Sequence, residues 1–244
     1  MCTVTFMPRR TGYCLAMNRD EKRTRATGLP PALRKHIGRQ VVYPSEPDGG
    51  TWIALNDEGV TFALINWYSI PSRITSNIVS RGLIIPSLCG ADSEMLADEV
   101  LATLRLTRIK PFRLIGMFPA TQEIVEWRWD SRQLSRKYHR WRARQWISSG
   151  FDEPTAQKIR SRTFRLTKAQ RSFGTIAWLR RLHRSHSPHS GPFSTCMHRD
   201  DACTVSYTEV EVVRRSSGMR HICGAPCNSQ ASEIPPALTT LRGL

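Results

Sequence analysis

The order of predicted elements places this chain in the α+β class, with a largely antiparallel sheet. Three features lead there. Short β-prone runs in the first 70 residues are joined by turn-forming residues, helical periodicity is concentrated in the middle of the chain, and strand-like runs return after residue 190. Hairpin connections throughout disfavour parallel βαβ winding, which needs long crossovers. With 244 residues, 40% hydrophobic and 23% charged, the chain supports a packed core and is neither wholly disordered nor collagen-like. No Gly/Ser- or Pro-rich linker separates two complete patterns. One domain over residues 1–224 is therefore expected, followed by an extended tail over 225–244.

The elements follow from local chemistry. Residues 3–7 and 13–17 are β-prone and flank Pro8-Arg9-Arg10-Thr11-Gly12, a hairpin connection. A second hairpin pairs 52–55 with 60–66 through Asn56-Asp57-Glu58-Gly59. Between them, 28–50 is rich in Pro, Gly and charge and reads as a loop. Over 91–106, Met95, Leu96, Val100, Leu101 and Leu104 line one helical face behind Asp92 or Ser93 as the cap. A third hairpin joins 112–118 to 122–129. Helices are expected at 131–146, 154–164 and 172–184, and strands at 194–198, 204–213 and 219–223.

The formal charge is +16, and six of the 36 basic residues are Lys. Residues 128–184 hold 13 Arg and three Lys against three acids, so most of the excess charge falls in one segment. On a helix, Arg132, Arg136, Arg140 and Arg144 share a face opposite Leu134, Tyr138 and Trp141. Two readings fit: a nucleic-acid surface with phosphate contacts and stacking aromatics, or an amphipathic helix with a solvated basic face. No recognised nucleic-acid module accompanies the charge, so no specific nucleic-acid partner is expected.

The N-terminus lacks the pattern of a secretory signal, and no run of about 18 apolar residues spans a bilayer. A cytoplasmic protein without a membrane span is expected, and its seven cysteines read as thiols. Cys196, His198, Cys203, His221, Cys223 and Cys227 fall within 32 residues, which raises zinc. Their spacings match none of the usual structural zinc patterns, and no metal is expected. Haem ligation by these residues is chemically open.

Cys2 offers a different chemistry. Removal of Met1 would leave a thiol beside a free α-amine, whose ordinary pKa is about 7.7 to 8.0. The amine can take the thiol proton directly or through water, giving a nucleophile that needs no histidine.

The opening Met1-Cys2-Thr3-Val4-Thr5-Phe6, the run Leu15-Ala16-Met17-Asn18-Arg19-Asp20-Glu21, and Gly50-Thr51-Trp52-Ile53-Ala54-Leu55-Asn56 resemble the NRDE family, also called the transport and Golgi organisation protein 2 family. Asn18-Arg19-Asp20-Glu21 corresponds to its namesake motif. The resemblance continues through Phe112-Arg113-Leu114-Ile115-Gly116 and Cys196-Met197-His198-Arg199-Asp200. More distantly, the N-terminal half resembles the cysteine N-terminal nucleophile hydrolases, which include choloylglycine hydrolases and penicillin acylases.

That likeness implies a four-layer αββα sandwich of two antiparallel sheets. It implies Cys2 as nucleophile, Asp20 orienting the α-amine and Asn66 donating to the oxyanion. In those hydrolases Arg precedes Asp by three residues, whereas Arg19 directly precedes Asp20, and strand neighbours face opposite sides. Arg19 is expected among the catalytic residues, and Asn18 is a candidate to take part of its role and to bind substrate. The downstream asparagine that completes their oxyanion hole has no counterpart on a suitable strand. The expected activity is hydrolysis or transfer of an acyl group from an amide-like or thioester substrate, with no cofactor required. The alternative is a non-enzymatic carrier for haem, lipid or acyl-CoA, with haem as a ligand in the same pocket.

Overall fold

In a strand, alternate side chains face opposite sides, and the first strand is buried on both. β1 (Cys2–Arg9) directs Cys2, Val4 and Phe6 to one face and Thr3 and Thr5 to the other, and all five are buried. Such a strand has to lie centrally, between another sheet and a layer of helices. The computed structural model, which describes residues 2–74, 76–214 and 216–228 and the backbone of Ala237–Arg242, places it there.

Strands and helices are numbered along the chain. One sheet has six strands, in the spatial order β10 (Arg144–Ser148), β1, β2 (Gly12–Lys22), β11 (Ala202–Val213), β12 (Ser216–Cys223) and β13 (Ala237–Arg242). The other has seven in sequential order: β3 (Leu29–His36), β4 (Arg39–Ser45), β5 (Ile53–Asn56), β6 (Thr61–Asn66), β7 (Phe112–Phe118), β8 (Glu123–Trp129) and β9 (Leu134–His139). Pairings within both sheets are antiparallel.

Three apolar clusters separate four layers. Val4, Phe6, Leu15 and Met17 of the six-stranded sheet meet Val42, Ile53, Ala63 and Ile115 of the seven-stranded sheet. The outer face of the seven-stranded sheet packs Phe62, Leu114 and Trp127 against α1 (Ile84–Leu88) and α2 (Glu94–Thr103). The outer face of the six-stranded sheet packs Met7, Ala16 and Tyr207 against α3 (Glu153–Thr167) and α4 (Ile176–Arg184). The architecture is the αββα sandwich of the α+β class.

The helix starts follow capping chemistry: Ser93, Asp152 and Thr175 accept hydrogen bonds from the backbone N–H of Leu96, Thr155 and Trp178. At the β1–β2 turn Gly12 has φ +115, and a Cβ there would lie 2.1 Å from the carbonyl oxygen of Val212. Only glycine fits this position. Among the described residues no helix is long and apolar enough to cross a membrane.

Three local expectations are corrected. Residues 28–50, expected as a loop, contain β3 and β4. Their turn places Ile37 and Gly38 at positive φ, as a two-residue hairpin requires. β3 is an edge strand, and Pro30 and Pro31 fall where its register against β4 shifts, between Leu29 and Ala32, positions at which a missing N–H is tolerated. Residues 131–146, expected as a helix, form β9 and β10. The regular spacing marks no shared face: Arg136 lies on β9 and Arg144 on β10, in different sheets, while Arg132 and Arg140 lie outside both strands. Residues 194–198 form no strand, and His198 makes only an isolated bridge to Cys203. Beyond residue 224 the chain makes a 3-10 turn at Pro226–Asn228, and the Ala237–Arg242 backbone pairs with β12.

Candidate active site

The site grows out of the pairing of β1 with β2. Cys2 lies opposite Arg19 in register, and on its other side opposite Ser148 of β10. Arg19 has the parity of Leu15 and Met17, so it faces between the sheets. Its guanidinium stacks 4.3 Å from the Trp52 ring centroid and pairs with Glu46, with Glu21 at 3.7 Å. Cys2, Arg19 and Asn66 line one cavity of about 400 Å³, together with Glu21, Glu46, Trp52, Arg81 and Lys110. Asn66, at the end of β6, donates its amide to the Tyr68 hydroxyl at 2.6 Å. Burial pushes the Cys2 thiol up; the N-terminal charge opposes this, Asp20 and Glu21 add to it, and Arg19 counters it.

Asp20 and Asn18 have the opposite parity and point toward the helix layer. The Asp20 carboxylate is fully buried, accepting from Arg160 Nη1 at 3.2 Å and from Thr204 Oγ1 at 2.7 Å. Arg160, on α3, also donates to Thr3 Oγ1 at 2.7 Å. Asp20 thus fixes the backbone behind Cys2 without lining the cavity. Asn18 is fully buried and does not line the cavity that holds Cys2. Its amide donates to the carbonyls of His183 and Thr195, and its Oδ1 meets His183 Nδ1 at 3.0 Å. His183 also meets Thr5 Oγ1 at 2.9 Å, and burial followed by the nearby Arg160 pulls its pKa down to about 3. A neutral imidazole therefore joins α4 to the sheet.

Sequence reasoning missed Arg160 and Thr204. Arg160 is one of 13 arginines in the basic segment, and nothing in its spacing separates it from exposed neighbours. That segment is also dispersed. β9 belongs to one sheet, β10 to the other and α3 to the far helix layer, while Arg128, Arg136 and Arg180 pair with Glu126, Asp98 and Glu209. The segment's excess charge therefore does not form one continuous face. Glu126 is itself buried, meeting Arg113 at 2.6 Å, Arg128 at 3.0 Å and His139 at 2.6 Å.

A second cavity of about 570 Å³ shares Arg19, Arg25 and Trp52 with the first and is bordered by His198, Cys203, His221 and Cys223. Arg19 stands in the wall between the two.

The model of the family described as Transport and Golgi organisation 2 matches residues 1–171. The chain belongs to that family. The match agrees with the resemblance carried by Cys2 and Asn18-Arg19-Asp20-Glu21. No curated protein matches the chain. Among solved structures, penicillin V acylase from Agrobacterium tumefaciens is similar with a TM-score of 0.57 at 11% identity, over 99% of this chain and 86% of that one. The C2A mutant of conjugated bile acid hydrolase from Clostridium perfringens is similar with a TM-score of 0.53 at 9% identity, over 99% of this chain and 92% of that one. At such identities these likenesses show the fold: this member of the Transport and Golgi organisation 2 family has the architecture of the N-terminal nucleophile hydrolases.

Proposed function

We propose that, after removal of Met1, Cys2 is the nucleophile of an acyl-transfer reaction on an amide-like or thioester substrate. The observation that carries this reading is the convergence of Cys2, Arg19 and Asn66 on one cavity at the start of β1. The free α-amine takes the thiol proton as Sγ attacks the carbonyl carbon. The carbonyl oxygen becomes an oxyanion, to which the Asn66 amide donates after leaving Tyr68. The intermediate collapses to an acyl-thioester on Cys2 as the leaving amine or thiol takes the proton. Water or another acceptor then receives the acyl group.

Asp20, held by Arg160 and Thr204, fixes the strand pair that presents the amine. Arg19, Arg25, Arg81 and Lys110 line the cavity together with Glu21, Glu46 and Asp48, with Arg19 and Arg25 paired to Glu46, which suits a substrate with polar or charged groups near its acyl carbonyl. The two similar structures are named an acylase and a hydrolase, and the second is a mutant at a cysteine in position 2. Both points favour the same chemistry here.

Limiting iodoacetamide followed by peptide mass mapping tests the reading. Cys2 is expected to label first, because it alone has an adjacent α-amine. Preferential labelling of Cys203, Cys223 or Cys227, the more exposed thiols, would contradict it.

The second cavity favours one alternative, a carrier for haem, lipid or acyl-CoA. His221 borders that cavity with its Nδ1 bonded to Thr208 at 2.9 Å, so its Nε2 is the nitrogen that would hold haem iron. His198 is less suited, since its Nε2 is already crowded by three other side chains. In a haem titration the carrier reading expects a saturable Soret band that His221→Ala abolishes. A spectrum indifferent to that change would point to non-specific adsorption.

A further inference from the structure

Four side chains distant in sequence meet behind the second cavity. His186 and Cys196 lie in the loop after α4, His198 follows two residues later, and Cys227 comes from the 3-10 turn beyond β12. One ligand atom from each lies within 4.8 Å of every other. His198 Nε2 is 3.1 Å from His186 Nε2, 3.6 Å from Cys196 Sγ and 3.4 Å from Cys227 Sγ.

Hydrogen bonding does not account for this cluster. A neutral imidazole nitrogen carries either one proton or one lone pair, yet three heavy atoms converge on this one. Tetrahedral coordination does account for it. Zinc–sulfur bonds of about 2.3 Å and zinc–nitrogen bonds of about 2.0 to 2.1 Å imply tetrahedral edges of about 3.3 Å between nitrogens and about 3.6 Å between nitrogen and sulfur. The three measured separations lie within about 0.3 Å of those edges.

We propose that His186, Cys196, His198 and Cys227 form a Cys2His2 structural site for a zinc ion, which ties the loop after α4 to the 3-10 turn beyond β12.

The chemistry is consistent with that assignment. Two thiolates neutralise a divalent cation, and two neutral imidazoles complete a borderline-soft donor set. Four protein ligands close the coordination sphere, which marks a structural rather than a catalytic ion. The site also bears on the candidate active site: Met197, between two ligands, donates its N–H to Thr204 Oγ1 at 2.8 Å, and Thr204 holds Asp20. Spacing in sequence does not reveal this set, because Cys227 lies 29 residues beyond His198.

The test uses the full chain, produced with zinc and purified under reducing conditions without chelator. Elemental analysis should find close to one zinc per chain. Replacement by cobalt should give the visible bands of a tetrahedral ion and a sulfur-to-metal charge-transfer band. Cys227→Ser and His186→Asn should each weaken zinc retention against a chelating dye on the order of 100-fold, while Cys203→Ser and Cys223→Ser leave it unchanged. The cobalt spectrum is read on the unaltered protein, so it decides the matter even where a variant fails to fold. Absence of both zinc and cobalt uptake would overturn the proposal. So would zinc lost from Cys203→Ser or Cys223→Ser but kept by Cys227→Ser.

Discussion

Replacing Arg160 with Met should destabilise the protein more than any other single change in the basic segment. Arg160 and Asp20 are both fully buried, 3.2 Å apart. Met matches the aliphatic length of Arg but removes a buried guanidinium from the Asp20 carboxylate and the donor to Thr3 Oγ1. Removing one partner of a buried pair costs about 3 to 5 kcal/mol. For a chain of this length each kcal/mol lowers Tm by about 2 to 4 °C, so a fall of roughly 6 to 20 °C is expected. Thermal and urea unfolding followed by circular dichroism measure it. The paired change Asp20→Asn with Arg160→Met should recover a large part of the loss, because no unpaired buried charge remains. A single-variant loss under about 1 kcal/mol, the range of surface pairs, or strict additivity in the double variant would refute this account of Asp20.

Three further outcomes are expected. His183, with its pKa lowered to about 3, favours the neutral form in the fold, so its contribution is complete above the unfolded value of about 6.5. Stability should therefore decline from that pH downward, with a slope of up to about 1.4 kcal/mol per pH unit from this group, and His183→Gln should flatten the slope in urea titrations. For Glu126, burial alone would raise the pKa, but the hydrogen bond from His139, the charge of Arg113 and the hydrogen bonds from Arg128 and Arg113 hold it well below the usual carboxylate range. Its stabilisation is present above about pH 4.3 and is lost as the pH falls further, so Glu126→Gln should be less stable at pH 7 and less acid-sensitive below 4. Asn66→Ala should slow acylation of Cys2 by a thioester about 100- to 1000-fold while leaving iodoacetamide labelling of Cys2 unchanged, which separates oxyanion support from nucleophile access.

What was legible in the sequence was local. Turn chemistry placed the hairpins at Gly12 and Gly59, periodicity placed α2, and the motif around Asn18-Arg19-Asp20-Glu21 pointed to the strand that faces Cys2. Strand alternation also anticipated that Arg19 and Asp20 face opposite sides. The rest depended on contacts made across the fold. Arg160 reaches Asp20 from 140 residues away, and Thr204 reaches it from 184 residues away. Arg132, Arg136, Arg140 and Arg144 misled because their interval is helical in sequence, while the chain turns between β9 and β10 and sends Arg136 and Arg144 to different sheets. Pro30 and Pro31 misled because an edge strand tolerates what a central strand does not. Cys227 and His186 come together only once β11 and β12 have turned the chain back on itself.

The central claim is that Cys2 forms a covalent acyl intermediate. Intact mass of the mature protein, measured during incubation with an excess of a small activated acyl thioester, tests it most directly. The account predicts loss of Met1 and a single acyl adduct that maps to Cys2, turns over with time and is absent from Cys2→Ala. A protein that retains Met1, or an adduct of equal extent in Cys2→Ala, would contradict it.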